Sequence, residues 1–205
     1  MATEEHLDPQ AAAELLRRTT DHTLASFDVR TEVMYACWGV TWLVGLGVMW
    51  LSVRGQHPYQ GPSAASYGCL GVLIMVSVAV TGRLARATRG IEGPSAVRGR
   101  MFGSAWPIGF AAFFTIQGAL AAHDASPAVL GIVGSAIPFL VTGTIYFMGA
   151  GIWQDRPMFA LGVWLIGVAA VGAWTGPVSI LLVEALAGGG GSLALAGYLA
   201  SRRRP

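Results

Sequence analysis

Glu184 is the one acidic residue of this 205-residue chain that falls deep inside a long apolar stretch. A carboxylate in such surroundings is expensive, so it is expected to be protonated, paired or beside a wet cavity. It lies about seven residues, or ~10 Å at 1.5 Å per residue, from the nearer end of its stretch. Gln117 lies at a similar depth in another apolar stretch, so the two could share a hydrogen bond, with Tyr67, His57 and His123 as neighbours toward the same end. Two readings follow. Either the group is a protonatable site for a solute or a proton relay, or it is a polar clasp between helices.

The remaining chemistry-bearing residues exclude more than they suggest. His6, His22, His57 and His123 fall in the N-terminal tail or at stretch ends, where they cannot pair across a bundle to hold a haem. No His/Cys/Asp/Glu group has a metal-ligand spacing, so neither metal nor cofactor is expected. Cys37 and Cys69 differ in depth, which argues against a bridge, and both read as small apolar fillers. The chain contains no lysine, which removes a Walker A loop, a pyridoxal phosphate linkage and a retinal Schiff base together. Gly61-Pro62-Ser63 and Gly191-Ser192 have no nucleophile-elbow context, and the paired glutamates of intramembrane proteases are missing. His123-Asp124 and Asp155-Arg156 read as solvated turn charges, the second also as a docking contact for a partner.

The elements that must position Glu184 follow from hydropathy. Hydrophobic residues make up 54% of the chain and charged residues 12%, and apolar runs of about 20 residues each suit bilayer spans. They predict an all-α integral membrane protein with six spans at about 33–53, 63–82, 101–122, 127–153, 157–175 and 177–200. A cytoplasmic lead over 1–31 and a basic tail over 202–205 flank a transmembrane domain over 32–201.

Charge sets the expected orientation. Arg17, Arg18, Arg30, Arg83, Arg86, Arg89, Arg98, Arg100, Arg156, Arg202, Arg203 and Arg204 fall on one side of the spans and only Arg54 on the other. Basic residues are retained in the cytoplasm, so both termini are expected there. The loop from Arg83 to Arg100, with its Gly93-Pro94 break, is expected to meet anionic lipid or a protein partner. The net charge of +2 is the remainder of this distribution and does not imply nucleic-acid binding. Met1 to Asp8 lack the positive start of a cleavable signal, so the first span is expected to stay as an anchor. Asp8 and Pro9 open a short helix in the lead, which either lies in the headgroup region through Leu15, Leu16, Leu24 and Phe27 or is loosely ordered.

Several spans are irregular. Trp106-Pro107 should bend the third span. Gly131, Gly134, Pro138, Gly143, Gly149 and Gly151 line the fourth, as tight-packing positions or as a moving helix with Pro138 as a hinge. Gly188, Gly189, Gly190 and Gly191 in the sixth cost roughly 1 kcal/mol each relative to alanine in a helix. That stretch should be packed against a close neighbour or unwound beside a cavity, in which case it too is a hinge. The short turns at Gln154-Asp155 and Thr175-Gly176 make spans four, five and six sequential antiparallel neighbours.

From Ala11 through Leu51, a polar lead followed by Tyr35-Ala36-Cys37-Trp38-Gly39 and Trp42 resembles the start of small bacterial multi-span membrane proteins whose own roles are uncharacterised. The resemblance implies a bundle of about six helices and brings no activity with it. Arginine in place of lysine, with abundant glycine and alanine, looks like a GC-rich bacterial genome and hence a plasma-membrane location. The expected functions are a small transporter or membrane subunit of one, a sensor or scaffold holding a cytoplasmic partner, or an enzyme acting on a lipid-like substrate. A homo-oligomer is compatible with each.

Overall fold

The computed structural model describes residues 30–86 and 94–202; the lead helix, Arg17, Arg18, Arg89, Arg203 and Arg204 lie outside them. The described residues form α1 (Thr31–Val53), α2 (Ala64–Arg86), α3 (Pro94–Ala122), α4 (Pro127–Trp153), α5 (Arg156–Ala173) and α6 (Gly176–Val183), then a π-helical turn (Glu184–Gly189) and α7 (Gly190–Arg202). The last three run on as one span, so six helices among the described residues are long and apolar enough to cross a membrane, and none of those residues is in a strand. Helices are the economical answer for apolar segments of this length, because each backbone N–H finds its acceptor within its own segment.

Local sequence marks the ends. Ser126 caps α4 by accepting from Val129 N at 3.3 Å, and Asp155 caps α5 by accepting from Met158 N at 3.0 Å, each followed by proline in the first turn. Asp155 therefore serves as a helix cap. Gly176, at φ +88°, makes the reversal into the sixth span in a conformation that side-chain-bearing residues rarely adopt. Helix α2 runs on to Arg86 and α3 begins at Pro94, so Arg83, Arg86, Arg98 and Arg100 sit on exposed helix ends where a polar loop was anticipated. Cations in the last turn of α2 complement the negative end of its dipole, which favours the longer helix.

Helices α1, α4, α5 and the sixth span pack together and hold the core, with Trp42, Phe139, Leu165 and Ile180 buried in it. The closest approach is between α4 and α5. A Cβ on Gly143 would lie 2.8 Å from Gly162 O, and one on Gly162 would lie 2.6 Å from Phe147 N, so glycine is what lets these backbones meet. Helix α2 packs on α1, and α3 packs on α4, at the periphery. Over their most apolar stretches α2 buries 11% and α3 6% of its residues inside the protein, against 39% for α1, which leaves most of both helices to face lipid. The tie between α1 and α2 is polar: the Thr41 and Ser77 hydroxyls meet at 2.7 Å, and Trp38 Nε1 donates to Thr81 Oγ1 at 3.1 Å.

Candidate membrane-embedded site

Glu184 opens the π-helical turn of the sixth span and is 0% exposed. Its partner comes from α4, where the Ser135 hydroxyl donates to Glu184 Oε2. Oε1 is buried and has no hydrogen-bond partner. Both residues lie about 12 Å of helix from the ends of their spans that face away from the arginine-rich end. The carboxyl therefore reaches the bundle interior with one oxygen held and the other bare.

The π turn explains how a glycine-rich segment stays helical at this depth. Side chains take up carbonyls around it: Trp164 Nε1 donates to Ala187 O at 2.8 Å, and the buried Ser192 hydroxyl donates to Gly188 O at 3.0 Å. Gly188 leaves its Cβ space to the Phe139 ring, and a Cβ on Gly189 would stand 2.7 Å from the backbone N of Leu43 in α1. Gly191 lies against the Trp164 indole, whereas Gly190 has open space. Of the two expected outcomes for this stretch, close packing is the one observed. Pro138 is half-buried within α4, beside Phe139 and about a turn and a half from Gly143.

Gln117 does not bond to Glu184, which corrects the anticipated pairing. Its amide donates to Leu130 O on α4 at 2.8 Å, and its Oε1 is buried without a partner. Gln117 lies against Gly134, whose neighbour Ser135 points about 100° further round the helix toward Glu184. The two polar side chains thus meet different faces of α4. Tyr67, His57 and His123 are exposed at the same end of the bundle and contribute no bond to the carboxyl. Among the described residues no group of three His, Cys, Asp or Glu could hold a metal ion.

Sequence reading missed three residues. Ser135 shares the depth of Glu184, and counting from Pro127 and Gly176 would have found it. Tyr59 folds over Gly131, with its hydroxyl 2.5 Å from where a Cβ would be, and Gly131 is one turn from Ser135 on the same face of α4. Its loop is fixed by Gln56, which donates to Ser52 O at 3.2 Å and Gly61 O at 3.0 Å and accepts from Gln60 N at 2.9 Å. Burial pushes the Tyr59 phenol above its ordinary range, with Tyr67 adding to the effect. Thr142 is the third, 5% exposed, its hydroxyl unpartnered beside a small aromatic cavity.

Among the described residues, an apolar bundle of six helices long enough to span a membrane, closing on one buried acid, defines a multi-pass helical membrane protein. Comparison of the chain with protein-family models, with curated proteins and with solved structures finds no match.

Proposed function

We propose that this is a small transporter of the bacterial plasma membrane, or the membrane subunit of one, with Glu184 as its proton- or cation-binding group. The observation that carries the reading is the Glu184 carboxyl, wholly buried, with Oε1 unpartnered on a π-helical turn. An uncompensated carboxylate in apolar surroundings costs several kcal/mol, so the bare oxygen calls for a proton or a cation. Single π turns inside α-helices recur at functional sites, where the extra residue re-aims a side chain. Gln117 is a second polar group toward the same end. The arginine distribution supports cytoplasmic termini, with Arg83, Arg86, Arg98 and Arg100 meeting anionic lipid.

The second reading is a sensor or scaffold in which Glu184 only clasps Ser135. The bond from Ser135 favours it, as does the close packing around Gly188 and Gly189.

Glu184→Gln separates the two. Glutamine can still accept from Ser135 but cannot exchange a proton. Thermal stability should be retained while proton-coupled flux in proteoliposomes, read with an internal pH dye, is lost. Unchanged flux in a stable Glu184→Gln protein refutes the transport reading of this residue.

A further inference from the structure

We propose that the cavity beside Thr142 is an internal water site that serves the Glu184 carboxyl from the arginine-rich end of the bundle, with Phe139 as the plug between them. The inference rests on the reading of Glu184 as an exchangeable site.

The cavity holds about 20 Å³, enough for one water. Its walls are mostly apolar, Trp106, Phe110 and Leu165 among them, and a wholly apolar void of that size stays dry, but this one has an unpartnered hydroxyl on its wall. Thr142 contributes a hydroxyl that is buried and has no partner, and the Ser192 side chain also lines the cavity, beside the rings of Tyr35, Trp42 and Tyr146. A buried hydroxyl left unpaired costs about 1–3 kcal/mol, and a water with two to four polar neighbours removes that cost. Ser192 spends its proton on Gly188 O and so keeps its lone pairs free to accept from the water.

Alignment along α4 links this site to Glu184. Ser135, Phe139, Thr142 and Tyr146 follow one another at spacings of three and four residues, which puts them on one face of the helix. Ser135 holds the carboxyl, and Thr142 lies two turns nearer the arginine-rich end, about 10 Å along the axis. Only Phe139 separates them on that face. It is 2% exposed, its ring lies 5.1 Å from that of Trp42, and it fills the space that Gly188 leaves by lacking a Cβ. The glycine that admits the ring therefore also seats the plug. On its arginine-rich side the cavity is bounded by Tyr146 and by Tyr35, near the start of α1, whose rings meet edge-to-face at 5.8 Å.

Radiolytic hydroxyl-radical labelling tests the site, because radicals made from an internal water mark the side chains beside it. In the full-length protein in detergent, Tyr146 and Trp42 should be modified despite their burial. In Thr142→Val, which keeps the shape and removes the hydroxyl, modification should fall to the level of buried side chains remote from the cavity. Thr142→Ser should restore it. An unlabelled Tyr146 in the unaltered protein, or equal labelling in Thr142→Val, overturns the water site. Phe139→Ala should extend labelling to Ile180 and Leu181 beside Glu184, with Phe139→Leu as the variant to use if alanine does not fold. Failure to extend in a folded variant overturns the plug. Proton leak through Phe139→Ala proteoliposomes should rise and should vanish when Glu184→Gln is added. Extended labelling with no leak removes the proposed transport function and leaves the water path standing, so the two failures are distinguishable.

Discussion

Replacing Gly188, Gly189, Gly190 and Gly191 by alanine one at a time should give different answers along four consecutive residues. At Gly190 the backbone is helical, with φ −61° and ψ −41°, and nothing lies within 4 Å of the new Cβ. Alanine there gains its helix preference without a clash and should stabilise by about 0.5–1 kcal/mol. At Gly189 the Cβ would meet Leu43 N at 2.7 Å and Gly39 O at 3.0 Å, both backbone atoms of α1. No rotamer relieves that contact, so α1 must move, and the expected loss is about 1–3 kcal/mol before the preference for alanine is credited. Gly188→Ala strikes the Phe139 ring, which is packed on Trp42 and has nowhere to turn, and belongs with Gly189. At Gly191 the obstacle is the Trp164 indole nitrogen at 2.5 Å, on a half-exposed side chain that can swing into lipid. The displaced indole gives up its bond to Ala187 O, about 0.5–1.5 kcal/mol, which roughly cancels the gain from alanine. Thermal unfolding of the purified variants in detergent reads the series, with about 2–4 °C expected per kcal/mol for a chain of this size. A Gly189→Ala protein as stable as the parent, or a Gly190→Ala protein clearly weaker, would refute the packing argument for this segment.

Other consequences can be checked directly. Ser77→Ala should loosen α2 by about 0.6 kcal/mol, and by no more than about 1.7, and a double-mutant cycle with Thr41→Val should recover that coupling; zero coupling would mean the hydroxyl pair contributes nothing. Cysteines placed at Arg98 and Arg156 in a Cys-free background should react from the cytoplasmic face alone and those at His57 and Asp124 from the outside alone, and external labelling at Arg98 would invert the proposed orientation. Tyr59 should ionise above the usual tyrosine range in an ultraviolet titration, since burial disfavours its phenolate. A pKa raised on folding contributes stability that is complete below pH ~10 and is lost as pH climbs through the folded-state value, so Gly131→Ala, which displaces the ring, should return the titration to normal.

The six spans were legible because a bilayer imposes a length and a composition that hydropathy reads directly. Glu184 stood out for the same reason, as a charge in the wrong solvent. Its true partner did not, because depth along a helix can be counted from sequence whereas direction around it cannot. Gln117 and Glu184 match in depth, yet Gly134 and Ser135, adjacent in the chain, send them to different sides of α4. The glycine run signalled irregularity without its kind, since a π turn and an unwound loop draw on the same residues. Thr142 gave no signal at all, because a lone threonine in an apolar helix ordinarily bonds to its own backbone.

The docking of α1 on the sixth span has a consequence for how the chain comes to be made. Gly39 lies under Leu193 and Leu43 against Gly189, so α1 finishes its packing on a span made well over a hundred residues later. A ribosome that has released residues up to 173 has produced α1 and α2 as a polar-tied hairpin and α4 and α5 as a tight pair, with nothing yet to occupy the groove between them. The preceding spans must therefore persist as an open assembly until the sixth has been made. Premature termination anywhere before Gly176 leaves that groove open to lipid, so a nonsense mutation just ahead of the sixth span should be as damaging to this bundle as one within α1.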